Sequence, residues 1–316
     1  MKKVGKTILT GILALTCAVG GAISLTGCNG GAEKNITVVA RELGSGTREA
    51  FDTKVTDGEH FLEEKDANGK KVYNTSKAAT ELGSTGAVLS TVSSDRNAIG
   101  YISLGSVNDT INVVKVNGVS ATKETVLSGS YQIQRPFVVM TNKTIELTER
   151  TEDFLNYLKS DASESVCDSV GTVFVKDPKV RANKGADPIP LVEYEKKSAV
   201  PAGDKITIQG STSMEKFIMQ AAKNYATLYG VNAEDLFQIE LNGSSEGKKA
   251  AENDKKGNVI GLSSSSYSSE NVESFNVCLD AVAVIVNAEN TTVTDLTLKQ
   301  LYDIFSGKVT KFSELN

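Results

Sequence analysis

Two stretches of this 316-residue chain join a β-branched run to a helical pattern through a cluster of glycine and hydroxyl residues. The first runs from Ile36 to Arg48 and carries Arg41-Glu42-Leu43-Gly44-Ser45-Gly46-Thr47 at the join. The second runs from Ile206 to Lys216 and carries Gly210-Ser211-Thr212-Ser213-Met214. The first turn of a helix has N–H groups with no partner inside the helix, and the helix end carries partial positive charge. Glycine lets that backbone approach a ligand closely, and serine and threonine add donors without bulk. Two such joins facing one another would grip a small oxyanion.

The elements that must position these joins alternate between strand and helix, which favours an α/β fold. Gly83-Ser84-Thr85-Gly86 opens another candidate helix, and residues 53 to 75 read as a polar surface loop. Ala98 to Ser103 reads as a buried strand, and Asn112 to Val116 as a strand ended by the turn Asn117-Gly118. Arg135-Pro136-Phe137-Val138-Val139-Met140 is a strongly apolar strand. A helix bearing Phe154, Leu155, Leu158 and Val166 follows, ending near Gly171. From Asp177 to Asp204 no period is visible, which marks a linker. Beyond the second join, Phe217, Ile218, Ala221, Ala222, Tyr225 and Leu228 share one helix face. Strands from 237 to 241 and 258 to 262 lead into Gly243-Ser244-Ser245 and Ser263-Ser264-Ser265-Ser266. Asp280 to Val286 is a long buried strand, and Leu298 to Phe305 a last amphipathic helix.

The first residues read as an export signal. Lys2, Lys3 and Lys6 precede an apolar stretch from Ile8 to Ala18 that is short, and too broken by small residues, for a membrane span. Leu25-Thr26-Gly27-Cys28 resembles a bacterial lipobox, which implies lipidation of Cys28 and anchoring to the membrane surface. With the three leader lysines removed from 34 basic residues against 39 acidic ones, the mature balance is −8. Such a surface argues against nucleic acid as a partner. Cys167 and Cys278 remain after the leader and the lipid site, open to a disulfide or to two separate buried thiols. His60 is the one histidine and lies in a charged loop, so a Ser-His-Asp hydrolase lacks a base near Ser45 or Ser213. No cluster has metal-ligand spacing, and no cofactor is called for.

Several segments together resemble the phosphate-binding proteins of bacterial ABC phosphate importers, the PstS family. They are Arg41 to Arg48, Ala98-Ile99-Gly100-Tyr101, Arg135-Pro136-Phe137, Gly210 to Ser213, Gly243-Ser244-Ser245 and Leu301-Tyr302-Asp303-Ile304-Phe305-Ser306-Gly307. The resemblance implies a two-lobed α/β fold of the periplasmic-binding-protein type (class II), with the ligand in a cleft between lobes. It implies phosphate contacts from Arg41, Ser45, Gly46 and Thr47 on one lobe and from Thr212, Ser213, Ser244 and Ser264 on the other. Arg48 stays open between a part in the site and a solvent-facing helix position. Ser264 falls where some members carry an aspartate that rejects sulfate, so phosphate selectivity is in question. Glu42, Glu215 and Glu246 are expected to serve as helix-start charges.

The order of these pieces departs from the family pattern: here the Ile304-Phe305-Ser306-Gly307-Lys308 helix ends the chain and the Arg41 loop begins it. A circular permutant is expected, in preference to a tandem or truncated gene, because each element occurs once. The implied division is a leader at 1–27, a tether at 28–35 and the main part of lobe B at 36–130. A hinge strand and part of lobe A follow at 131–176, then the linker at 177–204. The rest of lobe A with a second hinge strand spans 205–287, and 288–316 completes lobe B. The function implied is capture of phosphate by a lipid-anchored monomer outside the cytoplasm, for delivery to a permease and its ATPase. A binding protein for sulfate or molybdate, and a surface adhesin or sensor keeping the fold, are the alternatives. An enzyme is not expected.

Overall fold

The computed structural model describes residues 34–183 and 186–315; the leader, Cys28 and the lipobox lie outside them. The strands are β1 (Thr37–Arg41), β2 (Glu63–Lys65), β3 (Lys71–Tyr73), β4 (Thr80–Leu82), β5 (Ala98–Ser103), β6 (Ile111–Val116), β7 (Gln134–Asn142), β8 (Ile206–Gly210), β9 (Phe237–Glu240), β10 (Val259–Ser263), β11 (Val272–Asn287) and β12 (Asp295–Leu296). The helices are α1 (Gly46–Asp52), α2 (Thr85–Ser94), α3 (Lys123–Leu127), α4 (Glu149–Lys159), α5 (Ala162–Val170), α6 (Pro178–Arg181), α7 (Glu215–Leu228), α8 (Ala233–Leu236), α9 (Ser244–Asn253) and α10 (Leu298–Phe305).

One mixed sheet carries the order β4-β1-β5-β11-β7-β10-β8-β9, with β6 beside β11 and β12 beside β6. Strand β11 joins its two ends. Val272 to Ala281 pairs antiparallel with β7, and Val282 to Asn287 pairs with β5 and β6. The strands beyond it on each side run parallel: β1 with β4 and β5, and β8 with β9 and β10. All-buried stretches such as Ala98–Ser103 follow from helices covering both faces.

Two large cores form on this frame. The first gathers β1, β5, β6, the second half of β11 and α10, around residues such as Phe51, Tyr101 and Phe305. The second gathers β7 to β10 with α4, α5 and α7, around Phe154, Phe217 and Tyr225. Helix α7 buries Phe217, Ile218, Ala221, Ala222 and Tyr225 of the face its apolar spacing marks out, while Leu228, at the last turn, is exposed. Full burial of each large side chain there contributes about 1.5–3 kcal/mol. Where the cores meet, the Arg135 guanidinium on β7 donates to Asp280 on β11 at 3.0 and 3.2 Å. Ser103 of β5 adds a third strand to that buried pair at 2.9 Å. Burial pushes the Asp280 carboxyl above its ordinary range, against the pull of Arg135.

Three sequence readings change in the structure. The apolar helix ending at Gly171 is two helices, α4 and α5, broken at Ser160-Asp161; Gly171, at φ 77°, closes the second. The polar stretch after residue 53 holds the β2–β3 hairpin. The aperiodic stretch from 177 is packed rather than free: Ala182 bridges Phe275, Val192 bridges Ser160, and Tyr194 donates to buried Asp153 at 2.7 Å. Cys167 and Cys278 are both free, buried thiols. No helix among the described residues is long and apolar enough to cross a membrane.

Candidate functional site

Each parallel strand that ends near the junction of the two cores hands the chain directly to a helix start. Strand β1 leads to Ser45 and α1, β4 to Ser84-Thr85 and α2, β8 to Thr212-Ser213 and α7, and β9 to Ser244 and α9. The carboxyl ends of parallel strands, where strand order reverses, are where open α/β sheets bind ligands. Small polar residues at all four joins let the turns close tightly, and each helix start carries N–H groups with no partner inside its helix.

The hydroxyls meet across it. Thr47 and Ser213 place their side-chain oxygens 2.8 Å apart, and Thr85 lies 3.2 Å from Ser213. The Thr85 backbone N–H donates to Thr212 Oγ1 at 3.2 Å. Ser211 donates to Ser264 Oγ at 2.9 Å, Ser244 Oγ lies 3.2 Å from the same oxygen, and the Ser264 N–H donates to Ser244 Oγ. Thr47 is 1 % exposed and Ser264 not at all, so these polar groups are out of water and dependent on one another or a ligand.

Arg41, at the end of β1, is buried beside this cluster. Its Nε and Nη2 donate to both Glu42 carboxylate oxygens at 2.8 Å, and to the Leu82 and Gly83 carbonyls. Only Nη1 turns to the hydroxyls, 3.4 Å from Thr85 Oγ1. The charged fork read from the sequence is therefore largely held by its own neighbour, and Glu42 is an ion-pair partner of Arg41 rather than a helix-start charge. Ser45 is the N-cap of α1, accepting from the Thr47 and Arg48 N–H groups at 3.2 and 3.4 Å. Its own O–H stays available as a donor. At Gly46 the backbones of the two halves come close together. A Cβ there would lie 2.6 Å from the Ser264 carbonyl carbon and 2.8 Å from Ser265 N.

Arg48 is not solvent-facing. Buried at the back of the loop, it donates to the Arg41 carbonyl at 2.8 Å, to Asp52 at 3.0 Å and to Glu81 at 2.6 Å. It thereby ties the end of β1 to α1 and β4. Burial works against its charge, but Glu81 and Asp52 outweigh that and raise its pKa. Burial pushes Asp52 up to about 6, with Arg48 opposing the rise. Tyr101, stacked on Phe51 with ring centroids 4.1 Å apart, accepts from the Arg41 N–H at 3.1 Å; burial raises its phenol pKa.

All eight residues singled out from sequence lie at or beside this junction. Thr85 was read only as a helix start, and Ser211 only as a neighbour of Thr212; both belong to the cluster. The Ser84-Thr85-Gly86 composition, matching the other joins, was the signal for Thr85. His60 is 57 % exposed and paired with Glu64 in the outer loop. Among the described residues, no group of three His, Cys, Asp or Glu side chains could hold a metal.

Residues 13–162 and 196–315 match the model of the PBP superfamily domain. The chain is 36% identical over 314 residues to "Phosphate-binding protein PstS 2" of Streptococcus agalactiae serotype V, covering 96% of this chain and 97% of that protein. It is 33% identical over 310 residues to the protein of the same name from Streptococcus pneumoniae serotype 4, covering 97% and 95%. The chain belongs to the PstS family. A crystal structure of a phosphate ABC transporter's phosphate-binding protein from S. pneumoniae TIGR4 superposes with a TM-score of 0.62 at 30% identity, covering 89% of this chain and all of that one. PstS proteins bind their ligand and do not transform it, and the mixed α/β sheet is the periplasmic-binding-protein-like fold. The match with the streptococcal PstS 2 proteins runs along nearly the whole of both chains, so they share the order of segments found here.

Proposed function

We propose that this protein captures inorganic phosphate in a cleft between two lobes, each built on one of the two cores, and delivers it to the permease and ATPase of an ABC importer. The observation that carries the reading is the meeting of Thr47 and Thr85, on the first-core side, with Thr212 and Ser213 on the second. A tetrahedral anion has oxygens in four directions, and donors arriving from two sides match it. A hydrogen bond to a charged group contributes about 1.5–3 kcal/mol. A handful of buried donors with the Arg41 Nη1 group can hold an anion whatever the net charge of the whole protein, which is negative. The names of the streptococcal relatives agree with phosphate as the ligand.

Strands β7 and β11 serve as the hinge strands, and closure about them brings the hydroxyls together. Residues 36–130 and 288–316 make up one lobe, and 131–176 and 205–287 the other, with 177–204 fastened along the second. Relative to the general family pattern the order of segments is permuted, and the streptococcal relatives share that order. The Ile36 N–H donates to the Thr310 carbonyl at 2.7 Å, which puts the two ends of the described chain side by side, as a permutation requires. A lipid on Cys28 would hold a monomer at the outer membrane surface beside its permease.

One observation favours a broader ligand range. Ser264 is fully buried among Ser211 and Ser244, and a hydroxyl there imposes no charge penalty on a fully ionised anion. Sulfate is therefore the competing ligand. Calorimetric titration of protein freed of bound anion, with phosphate and then sulfate near neutral pH, tests both readings. Tight one-to-one phosphate binding is expected. Preference for sulfate would replace phosphate as the ligand, and binding of neither would end the importer reading.

A further inference from the structure

Beside the hydroxyl cluster lies a cavity of about 210 Å³ lined by Ser45 of the anion loop on one side and Ser245 and Lys248 of α9 on the other. Lys248 stands one turn after Ser244, so both side chains lie on the same helix face. Its Nζ lies 3.3 Å from Ser265 Oγ, next to Ser264, and 5.1 Å from the centre of the Tyr267 ring.

The other cations around this cavity are already matched. Arg48 is paired with Asp52 and Glu81, and Lys71 with Glu63 at 2.5 Å. On α9 itself, Glu246 pairs with Lys249 at 2.8 Å, and Glu252 accepts from the Tyr267 hydroxyl. Glu49 faces Lys248 across the cavity without an ion pair between them. Arg41 carries its own counter-charge in Glu42. Among the described residues, Lys248 is thus the cation at the site that no carboxylate neutralises by contact.

We propose that Lys248 supplies the positive potential that draws the anion into the site and holds it against the second-core side. This rests on the phosphate reading above. A half-buried ammonium is poorly screened, so its field reaches a nearby dianion with more effect than a surface lysine's. Burial lowers the Lys248 pKa, the direction that follows from a charge kept without a contacting partner. A bound anion would then be that partner.

The test uses inorganic phosphate on the full chain with three variants: Lys248→Met, Lys248→Arg and Lys249→Met. The last removes an equal charge from an exposed position on the same helix. Affinity is measured at low and high salt, with melting temperature as the check on folding. At low salt, Lys248→Met is expected to bind about tenfold more weakly, with the gap narrowing at high salt. Lys248→Arg is expected within about threefold of the parent and Lys249→Met within about twofold. A Lys248→Met protein within about twofold of the parent, or an arginine variant as weak as the methionine one, overturns the proposal. If the parent itself does not bind phosphate, the phosphate reading fails and this inference fails with it.

Discussion

Thr47 and Ser213 stand 166 positions apart in the chain, yet their hydroxyl oxygens lie 2.8 Å apart. Thr47 lies in the first turn of α1 on the first core and Ser213 precedes α7 on the second. The contact measures how far the two halves have come together. Thr47→Val keeps the shape and the backbone N–H but removes the donor. Phosphate affinity is expected to fall about 10- to 100-fold, the worth of one hydrogen bond to a charged group. The melting temperature should move little. Calorimetry beside a thermal melt separates the two effects.

Gly46 tests the closeness of the halves by a different route. Its would-be Cβ meets backbone of the other half at 2.6 and 2.8 Å, and backbone cannot swing aside as a side-chain end can. Gly46→Ala is therefore expected to hold the halves apart and abolish measurable phosphate binding. The fold survives, since a helix start accepts alanine. Small-angle scattering should show no compaction of this variant on adding phosphate. Parent-like affinity would mean that the halves do not bind in the closed arrangement.

Ser264 bears on selectivity. Ser264→Asp places a carboxylate among Ser211 and Ser244, where a protonated phosphate can donate to it and sulfate cannot. Sulfate binding is expected to drop at least about tenfold more than phosphate binding, because a buried like charge without a proton between is costly. Competition titrations read this directly. Equal losses for both anions would show that position 264 does not discriminate.

The joins themselves were legible because glycine and hydroxyl clusters between a β-branched run and an amphipathic pattern have few other uses. The strand and helix frame was legible for the same periodic reasons, from Ala98–Ser103 to Leu298–Phe305. What was hidden depended on partners distant in sequence. Arg48 could pass for a surface helix residue because Glu81 lies 33 positions away and only folding buries the pair. Glu42 was visible beside Arg41, but neighbours on a strand ordinarily face opposite ways. Their ion pair exists because the chain leaves β1 at Arg41. Tyr194 gave no periodic signal, since it is held by hydrogen bonds to Asp153, Tyr229 and Asp161 rather than by a helix or strand of its own.

Asp52 gives the loop a pH signature. Its pKa rises from 3.8 to about 6 on burial, so the folded state binds this proton more tightly than the unfolded one. The stability it contributes is fully present below the unfolded value and is lost as pH rises through about 6. Two pKa units correspond to about 3 kcal/mol at most. Asp52→Asn removes this dependence, so the variant's deficit relative to the parent should be larger at pH ~4.5 than at pH ~7.5. Denaturant titrations at the two pH values check the sign. A deficit that grows toward neutral pH would mean that the bond to Arg48 outweighs the burial of Asp52.

A crystal structure of the protein grown with phosphate addresses the central claim most directly. The expected result is one anion between the halves, contacted by Thr47 and the Gly46 N–H from one side, Ser213 and Ser264 from the other, and the Arg41 Nη1 group. An anion bound outside the junction of the two cores, or contacted by one half alone, would contradict it.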